Sequence, residues 1–202
     1  YFIINDKIDK FKIAIIKKKI QNKIIITDEK KKFKKLKVFD LKKLNFQKYI
    51  SKKPYKDFYY FKKRFFNHPI YKYNIYGVFK KNSLLSILVT RIIKHKNSTC
   101  LRIIDFHGDE STLSVYSRNL KEIMYKNKHE YIDFFTKGLK EKIIFNAGFN
   151  VLDLKNKNTV IPNYFEPFIQ ANQKIRFFFD KDILKNLRIF KGDGDQDRPS
   201  MV

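Results

Sequence analysis

Hydrophobic residues follow two different periodicities along this chain, and each period predicts a different kind of element. Near the start, Phe11, Ile13 and Ile15 alternate with Lys12 and Ala14, which is typical of a half-buried strand. In residues 40–50 and 56–66 the apolar positions recur every three or four residues, which predicts two helices. We therefore expect a short β-rich segment over residues 1–35 that is followed by a helical pair.

The middle of the chain changes to long extended segments. Residues 74–80, 84–94 and 99–106 are rich in Ile, Leu, Val and Phe and are separated by polar links, so three consecutive antiparallel strands are predicted. An amphipathic helix follows them, with apolar residues at the 3.6-residue period: Leu113, Tyr116, Leu120, Ile123 and Met124.

Shorter elements are predicted in the last third. Residues 131–136 favour a strand, 139–147 a helix that ends at Gly148, and 149–153 and 174–180 two further strands. This order predicts a protein of mixed α/β class, of the α+β type, with one main domain over residues 36–190 and a polar tail over 191–202.

The charge is strongly positive and unevenly distributed. The chain has 202 residues and a net charge of +25, and residues 1–80 hold 24 basic but only 6 acidic side chains. Such a basic region favours anionic partners, among them nucleotide-linked substrates, RNA and an anionic membrane surface. Lys outnumbers Arg by 38 to 7, and Arg is the better bidentate reader of phosphates and bases, so a dedicated nucleic-acid binder is not favoured.

Two classes of protein are excluded by simple counts. The single Cys100 excludes a disulfide framework and a cysteine-based zinc site, and we predict no metal site. The longest apolar runs have about four residues, far from the roughly 20 that a membrane-spanning helix needs, so we predict a cytoplasmic protein with no transmembrane segment.

Three short motifs, in this order and spacing, resemble the GNAT acyltransferase superfamily. They are Tyr-Ile-Asp-Phe at 131–134, Ala-Gly-Phe at 147–149, and Ile-Pro-Asn-Tyr-Phe-Glu-Pro-Phe at 161–168 with a tail Asp-Gly-Asp-Gln-Asp-Arg-Pro at 193–199. The third motif is similar to GNAT-related proteins of bacterial surface-polysaccharide synthesis. The resemblance implies a central mixed, mostly antiparallel sheet flanked by helices.

The resemblance also implies a cofactor, acetyl-CoA or another acyl-CoA. In the family the pantetheine lies between the fourth and fifth strands, here 99–106 and 131–136. The pyrophosphate rests on the amides that open the next helix, where unpaired N–H groups favour anions. The cofactor-binding residues implied are Ile104, Gly108, Ser111, Thr112, Ile132, Asp133 and Phe134.

Candidate catalytic groups gather at the end of the central strand 99–106. Asp105 or His107 would take the proton from an acceptor amine, as acyl transfer requires. The alternatives are that Asp105 only caps the next helix and that His107 is a loop residue in contact with solvent. Tyr164 and Glu166 would hold the acceptor, unless their loop is simply a packed surface loop.

Two functions from different classes remain open. The resemblance implies an N-acyltransferase that acts on a nucleotide-linked or lipid-linked amino sugar in capsule or lipopolysaccharide synthesis. However, the family's Gln/Arg-x-x-Gly-x-Gly/Ala signature is reduced to Gly108, and the helix at 139–147 offers no Tyr as a general acid. The alternative is a non-catalytic GNAT-like module that binds a glycan or a protein. A third hypothesis, a nucleic-acid binder through residues 1–80, is less favoured.

Overall fold

A computed structural model describes residues 1–18, 20–25, 30–176 and 186–194 of the chain. The strands are β1 (Phe2–Ile4), β2 (Ile15–Ile16), β3 (Lys32–Lys35), β4 (Asn74–Lys80), β5 (Ser83–His95), β6 (Ser98–Gly108), β7 (Tyr131–Phe134), β8 (Thr136–Lys137), β9 (Thr159–Val160), β10 (Tyr164–Phe165), β11 (Phe168–Ile169) and β12 (Ile189–Phe190). The α-helices are α1 (Phe58–Phe61), α2 (Leu113–Lys126) and α3 (Glu141–Asn146). Short 3-10 helices span Val38–Lys43, Phe46–Tyr49, Glu110–Thr112 and Lys191–Asp193, and one π-helical turn spans Lys62–Phe66.

Six strands form the central sheet in the order β1-β7-β6-β5-β4-β3. All neighbours are antiparallel except β6 and β7, which run parallel and are joined by α2. Three two-stranded pairs, β2–β9, β8–β12 and β10–β11, complete the strands. A mixed, mostly antiparallel sheet with few helices confirms the predicted mixed α+β class at this coarse level.

The hairpins β4–β5–β6 confirm the three predicted central strands. Their turns contain residues with positive φ, Lys81 at 53° and the pair Lys96 and Asn97 at 46° and 56°, which suit the twist of tight antiparallel hairpins. The predicted helix is also confirmed, because α2 buries Tyr116, Leu120 and Met124 against one face of the sheet.

The opposite face of the sheet is covered by residues 38–66. Buried Leu41, Phe61 and Phe65 pack there against Ile87 and other sheet residues. The prediction of two regular helices at 40–50 and 56–66 was wrong in type, since this segment forms 3-10, short α and π turns instead. Leu44 is extended and bridges Leu84 of the sheet, which interrupts any longer helix.

The predicted strand at 149–153 was also wrong. Only Asn150 makes a bridge, to Phe2 on the edge of β1 that faces away from β7. Residues 174–176 form no strand, and the rest of that predicted strand lies outside the described residues. The apolar run at 23–27 is described only over 23–25, and these residues form no strand.

The first 35 residues contribute three strands, and each pairs with a later part of the chain. β1 pairs with β7, β2 with β9 and β3 with β4. Within the described residues, β1 and β3 are the two end strands of the central sheet.

Candidate functional site

A bulge in β6 sets the direction of the candidate catalytic side chains. Val89 lies opposite Asp105 and Thr90 opposite Ile103, so Ile104 is an extra residue in β6. A bulge of this kind turns two consecutive side chains toward the same face. Ile104 packs beside Phe61 and Phe65, and Asp105 also lies on this face, beneath residues 56–66.

Asp105 is held in a buried ionic cluster. The Lys56 Nζ donates to both carboxylate oxygens of Asp105, at 2.6 and 2.8 Å, and to Asp193 at 3.0 Å. The Tyr60 hydroxyl donates to Asp105 at 3.0 Å, and the Phe106 amide does so at 2.7 Å. Lys56 and Asp105 are only 2% and 0% exposed, so water does not screen these charges.

The charges in this cluster are unbalanced, because two carboxylates share one ammonium group. Burial raises the pKa of Asp105 to about 6, even though Lys56 pulls it down, and the neighbouring Asp193 adds to the rise. Asp105 does not cap α2 as one hypothesis suggested. The N-cap position of α2 is Thr112, and Asp109 caps the preceding 3-10 turn Glu110–Thr112, where its carboxylate accepts from the Ser111 amide at 2.9 Å.

His107 lies in an aromatic cage rather than in solvent. It is 6% exposed, and its ring centre lies 5.6 Å from that of Phe46, 5.2 Å from Tyr49 and 5.7 Å from Phe61. Burial, with smaller contributions from Lys56 and Arg188, lowers the pKa of His107 to about 3. The ring is therefore neutral near pH 7, and its buried Nε2 has no hydrogen-bond partner among the described residues.

Replacing His107 tests this cage through the dependence of stability on pH. The folded pKa of about 3 lies below the ordinary 6.5, so His107 costs folding stability as the pH falls through 6.5. We expect the free energy of unfolding of His107→Phe, relative to that of the unmodified chain, to be about 2 kcal/mol higher near pH 5 than near pH 8, because the variant escapes this cost. Urea unfolding at both pH values measures it.

Phe46→Leu, which alters the same aromatic cage without removing a titratable group, is the matched control for this comparison. It should change stability by the same amount at both pH values. An equal effect of His107→Phe at both pH values would contradict a neutral, buried His107.

The chain itself occupies the space where β6 and β7 separate. The two strands pair only from Leu101–Ile132 to Ile103–Phe134, and beyond this point β12 pairs with β8 and lies against β6. Gly192 comes so close that a Cβ there would lie 3.1 Å from the Ile104 carbonyl oxygen. The resemblance places the pantetheine in this space, which residues 189–193 fill in the structure.

The other residues predicted to bind a cofactor are engaged inside the sheet. Ile132 and Phe134 lie in β7, which pairs with β1 on one side and β6 on the other. Asp133 is buried and accepts from Arg102 Nε and Nη2 at 2.9 and 2.7 Å. This ion pair connects β6 to β7 where the strands are still paired.

The residues predicted around the start of α2 lie at the end of β6. Gly108 has a φ of 113°, and a Cβ there would lie 2.5 Å from the Leu85 carbonyl oxygen, so only glycine fits. Thr112 is buried and hydrogen-bonded to Ser86 at 2.6 Å. Ser111 is exposed and accepts from Lys31 Nζ at 3.2 Å.

The two predicted acceptor-binding residues lie apart from Asp105 and His107. Tyr164 is half-buried in β10, where Lys191 Nζ lies 5.9 Å from its ring, while Glu166 is exposed in the β10–β11 turn. That hairpin stacks on His95 through Phe168, at 3.7 Å between ring centres, at the far end of the β5–β6 hairpin from His107.

A cavity of about 590 Å³ opens where β6 ends and α2 begins, and we call it the β6-end pocket. Four basic residues line it: Lys48, Lys52, Lys140 and Arg188. Its two acidic residues are engaged, since Asp109 caps the 3-10 turn and Glu110 pairs with Arg188. Tyr49 lines the pocket and also packs against His107, so this pocket and the aromatic cage are adjacent.

Sequence reasoning missed the partners of Asp105. Lys56 is one of 38 lysines and carries no local pattern that separates it from the others. Asp193 was assigned to a polar tail, although its carboxylate accepts from the Phe190 amide at 2.9 Å and helps to hold residues 190–193 in place. Neither role has a signal in neighbouring residues.

No family model, curated protein or solved structure matches this chain. Among the residues that the structure describes, no helix is both long and apolar enough to cross a membrane. Within the same residues, no three His, Cys, Asp or Glu side chains are grouped so that they would hold a metal ion.

Proposed function

We propose that this chain is a GNAT-like protein that binds a ligand with a diphosphate group in the β6-end pocket. The observation that carries the proposal is the position of Lys48, Lys52 and Lys140 around a pocket whose two carboxylates are engaged, Glu110 with Arg188 and Asp109 with the Ser111 amide. Lysine side chains attract the negative charge of a phosphate group. The pocket volume of about 590 Å³ is in the usual range for small-molecule sites.

A diphosphate is common to the ligands that the resemblance implies. Acyl-CoA, nucleotide-linked sugars and lipid-linked sugars all carry one, so the same pocket chemistry serves each source. The element order supports a GNAT-like protein, since α2 connects the parallel strands β6 and β7 after an antiparallel hairpin. By the same resemblance, the ligand would belong to bacterial surface-polysaccharide synthesis.

The geometry favours a non-catalytic binding module over an acyltransferase. Asp105 is ion-paired with Lys56, and the low pKa of His107 makes this residue a weak base. The space proposed for the pantetheine contains Phe190, which stacks on Phe134 at 6.0 Å between ring centres. Acyl transfer would therefore need residues 189–193 to withdraw from between β6 and β7.

One observation keeps N-acyl transfer to an amino sugar as the second candidate. His107, whose Nε2 has no hydrogen-bond partner among the described residues, packs against Tyr49, a residue that lines the pocket. If residues 189–193 moved away, His107 or Asp105 would be the base that takes the amine proton. Acyl transfer from acetyl-CoA to an amino-sugar acceptor, lost in His107→Gln, would favour this candidate over the binding module.

Ligand-induced stabilisation tests the diphosphate site. The probes are inorganic pyrophosphate, acetyl-CoA and UDP-N-acetylglucosamine, and they separate the sources of the diphosphate. A ligand at about 100 times its Kd adds about 2.7 kcal/mol, so we expect Tm to rise by roughly 5–10 °C for at least one probe. The double variant Lys52→Gln/Lys140→Gln should lose most of this rise.

The matched control is Lys53→Gln/Lys142→Gln, which removes the same charge from exposed neighbours that do not line the pocket. This control should keep the Tm rise. Either of two results would overturn the proposal: no probe shifts Tm at millimolar concentration, or the pocket variant and the control respond equally.

A further inference from the structure

Nearly half of the exposed large apolar side chains lie in one segment of the chain. Of the eleven exposed large hydrophobic residues in the described chain, five lie in residues 38–72: Phe39, Ile50, Tyr55, Tyr59 and Ile70. Tyr59 is 63% exposed and Phe39 is 56% exposed. The buried side chains of this layer face the sheet, so its exposed ones face away from it. We call these exposed side chains of residues 38–72 the outer layer face.

The same face carries an excess of positive charge, although Lys43 pairs with Asp40 at 3.4 Å. Six of its lysines are exposed: Lys42, Lys43, Lys48, Lys53, Lys63 and Lys72. The two acidic residues of the segment, Asp40 and Asp57, are buried and half-buried. Asp57 accepts from the Tyr60 amide at 2.7 Å as the cap of α1. The outer layer face therefore presents aromatic and aliphatic groups among an excess of cations.

We infer that the outer layer face binds an anionic membrane surface. Aromatic and aliphatic side chains enter the headgroup region of a bilayer, while lysines are attracted to anionic headgroups. Each contribution alone is weak, and the two together give stable peripheral binding. The sequence predicted a general attraction of residues 1–80 to anions. The inference assigns that attraction to one surface, the outer layer face, and to one partner, an anionic membrane.

The composition of the face favours lipid over RNA. Ile50 and Ile70 neither stack on bases nor donate hydrogen bonds, whereas single-stranded nucleic acid is bound mainly by stacking and by contacts to its backbone. The exposed cations are lysines, and the only arginine in the segment, Arg64, is half-buried and donates to the Gly192 carbonyl at 3.3 Å. Lysine suits diffuse attraction to a charged surface, while arginine suits bidentate phosphate contacts.

The outer layer face is continuous with the β6-end pocket. Lys48 and Lys52 line that pocket, and Ile50 lies between them in the chain. Binding to a membrane would therefore bring the pocket close to the headgroups, where a lipid-linked diphosphate would be found. The membrane inference itself does not depend on the pocket, since Lys48 is the one residue that both share and neither triple variant of the face changes it.

Vesicle cosedimentation of the full chain tests the inference. The probes are vesicles of phosphatidylcholine alone and vesicles that also contain about 30 mol% phosphatidylglycerol, and we expect binding to the anionic vesicles only. Lys42→Gln/Lys63→Gln/Lys72→Gln should weaken the binding roughly a hundredfold, at about fivefold for each lysine. Phe39→Ser/Ile50→Ser/Tyr59→Ser should weaken it roughly tenfold or more.

Matched controls change the same residue types elsewhere. Lys126→Gln/Lys155→Gln/Lys157→Gln and Val151→Ser/Leu154→Ser/Ile169→Ser alter exposed residues outside the segment and should bind as the unmodified chain does. Circular dichroism on each variant establishes that it is folded. Because the chain has no tryptophan, Tyr59→Trp provides a single reporter, whose emission should shift to the blue on anionic vesicles.

Three outcomes would overturn the inference. The first is no binding to anionic vesicles at low salt. The second is binding that the apolar triple variant leaves unchanged, since the apolar residues would then not enter the bilayer. The third is tight binding of single-stranded RNA without vesicle binding, which would assign the face to nucleic acid.

Discussion

Lys56→Met should lower the free energy of unfolding by about 3–5 kcal/mol, because it leaves Asp105 and Asp193 buried without a counter-charge. Removing one member of a buried ion pair is among the most costly single substitutions. The loss should also depend on pH. Without Lys56 the pKa of Asp105 rises further above its value in the unfolded chain, so the deficit grows as the pH rises from about 5 to about 8.

Urea unfolding near pH 5 and near pH 8 measures both effects. Lys53→Met is the matched control, because its side chain is exposed three positions away and should change stability by no more than about 0.5 kcal/mol. A second variant, Lys56→Met/Asp105→Asn, removes one charge of each sign and should recover part of the loss. A Lys56→Met deficit below about 1 kcal/mol, or one that is equal at both pH values, would contradict the buried cluster.

Glu130→Leu should be the second most damaging substitution, at about 3 kcal/mol, because it removes the acceptor of three backbone amides. The Glu130 carboxylate accepts from the amides of Lys12, Ile13 and Ala14, at distances of 2.8 to 3.1 Å, and is 1% exposed. These bonds attach the segment before β2 to the start of β7. Without them, the amides have no acceptor in a buried region, which is costly.

Hydrogen exchange separates this local role from a general loss of stability. In Glu130→Leu, the amides of Ile13 and Ala14 should lose protection while those of β5 keep theirs. Glu130→Gln retains a neutral acceptor and should lose roughly 1 kcal/mol, and Glu122→Leu on the exposed side of α2 should lose little. Uniform loss of protection across the sheet in Glu130→Leu would contradict the local attachment.

The strands and the helix at the centre of the fold were predictable because their signals are local. The hairpin turns at Lys81 and at Lys96 and Asn97 are polar, and the flanking residues have continuous β propensity. The helix α2 follows one hydrophobic period for four turns. Residues 40–50 also show apolar spacing, but the bridge from Leu44 to Leu84 interrupts the regular helix that this spacing favours.

The candidate site was predictable only in part. Asp105 and His107 were predicted as site residues because they are polar residues at the end of an apolar strand. In the structure, the bulge at Ile104 turns Asp105 toward the face that His107 also occupies. Their surroundings come from remote parts of the chain: Lys56 is 49 residues before Asp105, and Asp193 is 137 residues after Lys56. No sequence pattern within a few residues of Asp105 predicts that Lys56 or Asp193 will lie beside it.

The sequence by itself determined the mixed class, the central hairpins, α2 and the excess of positive charge, since composition and short-range periodicity encode these features. Only the tertiary structure decided that β1 pairs with β7, that residues 189–193 fill the space beside β6, and that Asp105 is ion-paired. The physical reason is that open strand edges and buried charges must be satisfied by whatever segment the fold brings near them. Which segment arrives depends on contacts between residues far apart in the chain.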